Sequence, residues 1–184
     1  SGEVPAPVFL NGSRDRENTA WVIAPQGGVA SNLYTMDMTT YGTSLIGSSG
    51  IDPASGDFMN GDASTLYVAT GWGVSLSEVD VATGASTTVA NFSGMPAGFS
   101  VNGMACDRTT NTMYVGMSNI SQSQIGTVDL ATGVVTPIGS TTTVAPGLID
   151  IAIDASGQMY GWCIVTDASY LIDKSTGAFG SLGS

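Results

Sequence analysis

The chain has 184 residues, enough for one domain or a compact array with a buried core. Apolar residues make up 42% and charged residues only 10%, so the chain is globular and takes its surface polarity from hydroxyls, amides and backbone. Four Lys and Arg against fifteen Asp and Glu give a net charge of −11, which repels nucleic-acid phosphates and anionic membranes alike.

No run is long and apolar enough to read as a transmembrane helix. Histidine is absent, which removes the Ser-His-Asp and Cys-His constellations and the common zinc sites. Cys106 and Cys163 fit either one disulfide or two buried thiols. The low lysine content with abundant Thr, Ser, Gly and Asn suggests a secreted or cell-surface protein.

Helical periodicity is nearly absent. Short runs rich in Val, Ile, Thr and Tyr alternate instead with Gly, Asn, Asp and Ser clusters. In chain order, the first group of strands is expected at 8–10, 20–24, 32–38 and 43–47. The second is expected at 58–61, 65–69, 76–81 and 85–92. The third falls at 101–106, 112–117, 125–130 and 134–139, and the fourth at 148–153, 158–164, 170–173 and 178–182.

Two aspartates mark each group. Asp37, Asp80, Asp129 and Asp173 stand 43, 49 and 44 residues apart, and the last three each open Asp-x-x-Thr-Gly. The first copy, Asp37-Met38-Thr39-Thr40-Tyr41-Gly42, carries one extra residue before its glycine. Upstream, Asp15, Asp62, Asp107 and Asp154 are spaced 47, 45 and 47 apart, and each precedes an aromatic, Trp21, Tyr67, Tyr114 or Tyr160. These aromatics are expected between neighbouring units. Aspartate, threonine and glycine suit hairpins, because the side-chain oxygens accept turn amides and glycine takes positive φ. Eight of the fifteen acidic residues are thereby assigned to turns.

A four-stranded antiparallel meander repeated every ~45 residues is the mark of a β-propeller blade. The expected fold is an all-β propeller of four blades, at about residues 5–49, 50–94, 95–141 and 142–184. The blades form a closed four-bladed ring, half of an eight-bladed ring completed by a second copy, or part of a longer propeller.

Leu33-Tyr34 with Asp37, and Asp80, Asp129 and Asp173 with their glycines, resemble the Leu-Tyr-x-x-Asp-x-x-Thr-Gly repeats of quinoprotein-like, YVTN-like and other bacterial propellers. The resemblance implies the blade fold. Quinoprotein repeats carry a tryptophan shortly after the glycine, where this chain has Thr88, Pro137 and Gly180, so only the fold is carried over.

Function is therefore sought in loops that do not repeat. Gly71-Trp72-Gly73 places an indole at a predicted rim loop, where it can stack on a sugar or enter a partner's pocket, with Met95 and Phe99 in the next loop. Asp150, on an inner strand, faces the channel. No cofactor is called for, although calcium could use Asp52 and Asp57, without the acidic ladder of an EF-hand loop. These residues favour a recognition module binding a protein or glycan. The alternatives are a carboxylate enzyme of glycoside hydrolase or lyase type at the channel, and a structural spacer.

Overall fold

Hairpin chemistry builds the fold from the turns outward. In the computed structural model, which describes residues 8–10, 19–26 and 30–183, all four downstream aspartates act alike. The Oδ1 of Asp80 accepts the amides of Ala82 and Thr83 at 2.7 and 3.1 Å, and Gly84 N–H donates to the Asp80 carbonyl at 2.7 Å. Asp129 and Asp173 repeat the pattern. Gly84, Gly133 and Gly177 sit at φ 77°, 70° and 73°, the left-handed region that a side chain disfavours.

The first copy differs from its expected form. Tyr41, at φ 58°, fills the glycine position, and its amide donates to the Asp37 carbonyl at 2.7 Å. It carries no inserted residue; a tyrosine replaces the glycine. Of the upstream aspartates, Asp62, Asp107 and Asp154 cap their turns through Ser64, Thr109 and Ser156. Asp15 lies outside the described residues.

Among the described residues, these hairpins join sixteen strands into four antiparallel sheets arranged as a four-bladed propeller, each sheet ordered as in the chain. Blade 1 holds β1 (Val8–Leu10), β2 (Thr19–Gln26), β3 (Ala30–Asp37) and β4 (Thr43–Ser48). Blade 2 holds β5 (Pro53–Phe58), β6 (Thr65–Thr70), β7 (Ser75–Asp80) and β8 (Ser86–Asn91). Blade 3 holds β9 (Ser100–Asp107), β10 (Thr112–Ser118), β11 (Ser123–Val128) and β12 (Val135–Thr142). Blade 4 holds β13 (Leu148–Ile153), β14 (Met159–Cys163), β15 (Ala168–Ile172) and β16 (Phe179–Gly183).

One strand departs from the sequence expectation. The inner strand of blade 2 is β5, at Pro53–Phe58, not 58–61. Its composition reads as a turn because the inner strands converge and leave little room. A Cβ on Gly103 of the inner strand β9 would stand 2.7 Å from the Ile151 amide of the inner strand β13, and β5 meets β9 through Ser55 Oγ, which accepts Met104 N–H at 2.8 Å.

The core lies between the blades. Residues alternate between a rear face towards the preceding blade and a forward face towards the next. Trp21, Ile23 and Leu33 of blade 1 pack against Phe58, Leu66, Val68 and Val79 of blade 2. Tyr67, Ala69 and Leu76 of blade 2 meet Met113, Val115 and Val128 of blade 3. Tyr114 and Ile125 of blade 3 meet Met159, Tyr170 and Ile172 of blade 4. Each fully buried aliphatic side chain contributes about 1.5–3 kcal/mol. The aromatic register pairs Trp21 with Thr35, Tyr67 with Glu78, Tyr114 with Thr127 and Tyr160 with Leu171, so the four are equivalent. Tyr160 departs from the expectation of burial: it is exposed, with its hydroxyl donating to Asp154 Oδ2 at 3.3 Å.

The C–D hairpins of blades 2, 3 and 4 each also seat on the outer strand of the blade before. Gly84 lies against Gly47, Gly133 against Asn91, and Gly177 against Ile138 and Gly139. Ser93 and Val135 exchange backbone bonds with this seam, Ser93 N–H to the Gly133 carbonyl and Val135 N–H to the Ser93 carbonyl. Among the described residues, no pair of strands from blades 1 and 4 makes extensive contact.

Candidate functional site

The loop between β6 and β7 is built to hold an indole in the open. Gly71, Trp72 and Gly73 take φ 60°, 62° and 76° in succession. For a bulky residue such as Trp72 this conformation is strained and persists only where neighbours enforce it. They do so on both sides. Gly71 N–H donates to the Asp52 carbonyl at 3.0 Å, and Val101 N–H of β9 donates to the Gly73 carbonyl at 3.0 Å. A Cβ on Gly73 would collide with the Val101 backbone. The loop is thus clamped between its own blade and the next, with Trp72 83% exposed.

Trp72 stands at the edge of a depression of about 240 Å³ lined also by Asp52, Pro53, Ala54, Asn102 and Ile149. Four segments from three blades meet there: the entry to β5, the β6–β7 loop, and the starts of β9 and β13. Asn102 is held by its Nδ2, which donates to Ser118 Oγ at 2.7 Å and to the Leu148 carbonyl at 3.2 Å. The site offers an aromatic face, an apolar floor and a carboxylate. Such a set stacks on and hydrogen-bonds to a ligand, but supplies no nucleophile–base pair.

The other predicted residues lie elsewhere. Phe99 is buried in the core between blades 2 and 3, and Met95 packs half-buried against that core, so neither joins Trp72. Asp52 is exposed at the rim, while Asp57 lies near the far end of β5, roughly 16 Å along the strand by its rise per residue. Both Asp57 oxygens are occupied, Oδ1 by Phe58 N–H at 2.7 Å and Oδ2 by Cys106 N–H of the next blade at 2.8 Å. Burial raises the Asp57 carboxyl above its usual range, against the lowering effect of those two amides. No cluster of three or more potential metal-ligating side chains occurs among the described residues. Cys106 and Cys163 are separate buried thiols.

Asp150 lies on β13, the inner strand of blade 4, and meets Ser55 of β5. It reaches solvent, yet the converging inner strands enclose it. That enclosure pushes its carboxyl up to about 6, opposed by the Ile151 amide and the Ser55 hydroxyl, while the Asp57 charge adds to the rise. Ser55 Oγ donates to Asp150 at 3.4 Å and accepts Met104 N–H at 2.8 Å. The short reach from blade 2 to blade 4 passes over Gly103, which has no side chain to intervene. The sequence drew attention to Asp150 by its place on an inner strand, but nothing in it marked Ser55 as the partner.

Repeated four-stranded meanders, seated hairpin on outer strand around a channel, define a β-propeller. At the level of the solved fold, the chain is similar to a Bacteroides thetaiotaomicron protein of unknown function, with TM-score 0.64, 15% identity, and coverage of 98% of this chain and 44% of that one. It is similar to a chain of a nidogen–laminin complex, with TM-score 0.66, 12% identity and coverage of 98% and 66%. It is also similar to the Dos1 propeller, with TM-score 0.57, 14% identity and coverage of 96% and 48%. The chain thus spans about half to two thirds of the length of these propellers. No protein-family model and no curated protein sequence matches it.

Proposed function

We propose that the protein is a secreted or cell-surface recognition module that binds a protein or carbohydrate partner at the rim bearing Trp72. One observation carries this reading: a tryptophan held at positive φ by backbone bonds on both sides, and left exposed. An indole folded down over the blade would need no such clamp. Strain of this kind is retained where presentation of the side chain matters. One similar fold comes from a nidogen–laminin complex, in keeping with an interaction role for this type of scaffold.

The experiment is a binding screen of the chain against a glycan array and against immobilised extracellular-matrix proteins, read by interferometry. Every ligand found is retested with Trp72→Ala. The reading expects binding to fall at least tenfold with an unchanged circular dichroism spectrum and melting curve. Undiminished binding in the variant would locate recognition elsewhere.

The channel carboxylate supports a second reading, an enzyme acting through Asp150, on the single observation of its raised carboxyl. Paired-carboxylate chemistry needs a second free acid, and Asp57 has both oxygens committed to amides. Turnover of any glycoside or uronide substrate, abolished by Asp150→Asn, would favour this reading over the first.

A further inference from the structure

The rim that carries Trp72 presents more apolar surface than the depression beside the indole. Ile120, in the β10–β11 loop, is 72% exposed at φ 71°, a conformation that a β-branched side chain resists. Its loop is tied off by Asn119, whose Oδ1 accepts the Ser121 and Gln122 amides at 3.1 and 2.9 Å and whose N–H donates to the Gln122 carbonyl at 3.1 Å. Ile164 and Val165, in the β14–β15 loop, are exposed as well. These loops converge on Gly147, where a Cβ would stand 2.8 Å from Val165 Cγ2, 3.5 Å from Ile164 Cγ2 and 3.8 Å from Ile120 Cα. Ile149, two residues further along the chain, already lines the Trp72 depression. An apolar arc therefore runs from Trp72 on blade 2, by way of Ile149, to Ile120 on blade 3 and Ile164 on blade 4.

Among the described residues, the charges on this rim are all of one sign. Asp52 and Asp167 are exposed in its loops, whereas the described cations, Arg108 and Lys174, lie in the β9–β10 and β15–β16 turns at the opposite ends of the strands. Around Trp72 the polar groups are acceptors. Both Nδ2 hydrogens of Asn102 are given to Ser118 and Leu148, which leaves its Oδ1, and Asp52 adds a carboxylate. Acceptors beside an indole face suit an ammonium or guanidinium, which carries only donors and is attracted to the ring. Sugar hydroxyls both donate and accept, and would find few donors here. Along the rest of the arc, branched aliphatic side chains reward burial of apolar groups and offer no flat ring to stack on.

Building on the Trp72 rim as the binding surface, we propose that its partner is a protein segment, not a carbohydrate, with Lys or Arg at the Trp72 end and apolar side chains along the arc. Burial of the arc supplies the affinity, and the cation beside Asp52 fixes which way round the segment lies. A second copy of this chain is the wrong occupant. Its net charge of −11 repels it, and its Lys174 is already paired with Asp107. An anionic membrane is repelled on the same ground.

The test is selection of a phage-displayed library of random short peptides on the immobilised chain, with the enriched peptides then synthesised and measured by fluorescence anisotropy. The expected enrichment is for a basic residue beside a run of apolar ones. Affinity should fall about tenfold in Trp72→Ala and in Ile120→Asn, which keeps a residue tolerant of positive φ. It should fall about threefold in Asp52→Asn and with added salt, and hold in Asp129→Asn, which removes the same charge from the opposite rim. Circular dichroism checks the fold of each variant. Failure to enrich any peptide, enrichment of peptides without a basic residue, or indifference to Ile120→Asn overturns the proposal. A glycan that binds through Trp72 and ignores Ile120→Asn would leave Trp72 as the binding residue and overturn the protein segment. Binding that ignores Trp72→Ala would overturn both. Capture of phosphatidylcholine vesicles through Ile120, in place of any peptide, also counts against the proposal.

Discussion

Gly84 of blade 2 rests on the backbone of Gly47 of blade 1, so closely that a Cβ on Gly84 would stand 3.0 Å from the Gly47 carbonyl carbon and oxygen. The hairpin glycine is therefore required twice, once for positive φ and once for its seat on the preceding blade. Gly84→Ala should cost about 2 kcal/mol, combining a strained conformation with displacement of backbone. Tyr41 holds the same hairpin position in blade 1 and is 72% exposed. Tyr41→Gly should change stability by less than about 0.5 kcal/mol. Urea unfolding of the two variants provides the comparison; equal effects would refute the double requirement.

Lys174, on the last hairpin, forms an ion pair with Asp107, whose side chain is fully buried, and lies 5.6 Å from the centre of the Tyr114 ring. Burial opposes ionisation of Asp107, but the bonds from Lys174 and Thr109 outweigh it and hold the carboxyl at about 2. A depressed carboxyl stabilises the fold above its unfolded value and loses that contribution as pH falls towards 2. Lys174→Met strands the buried carboxylate and should cost about 3 kcal/mol at neutral pH. Chemical denaturation would show it, together with acid unfolding that begins at a higher pH than in the wild type.

Asp150 has the opposite sign. Its folded carboxyl, raised by enclosure to about 6, binds a proton more tightly than in the unfolded chain. Its charge therefore opposes folding at neutral pH, and the cost is relieved as pH falls below about 6. Asp150→Asn should raise the melting temperature at about pH 8 and leave it little changed at about pH 4. A scan of melting temperature against pH for both proteins tests this. Parallel curves would mean that Asp150 is not the titrating group.

Trp72 sets presentation against stability. Replacing it with glycine removes the strain of its positive φ and loses no core contact. Trp72→Gly should therefore stabilise the fold by about 1 kcal/mol while abolishing rim binding. Differential scanning calorimetry paired with the binding assay reads both effects, and a destabilised variant would show that the indole supports the fold.

Most of the architecture was legible because turn chemistry is local. Each Asp-x-x-Thr-Gly engages its own amides, so the period of the sequence became the period of the blades. The inner strand β5 was hidden for the opposite reason. Pro53-Ala54-Ser55-Gly56-Asp57 is small and polar because neighbouring inner strands press on it, and that crowding has no local signature. Tyr41 was concealed by the adjacent Gly42, which looked like the hairpin residue one place late. At the rim, Trp72 stood out as an aromatic between glycines. Phe99 looked similar in composition, yet a large apolar side chain in a loop is as able to fold inward as to face solvent, and only packing decides. The exposure of Tyr160 was likewise invisible, because its repeat position matches those of Tyr67 and Tyr114, which are half-buried against the next blade.

The seating of each hairpin on the strand before it gives the molecule a direction. The hairpin contact itself runs one way, from blades 2, 3 and 4 back to the blade before each. During synthesis from the N-terminus, each new hairpin emerges opposite a docking groove that has already formed, so the blades can be added one at a time without waiting for the chain to finish. Successively longer stalled nascent chains should accordingly gain protease resistance in steps of one blade.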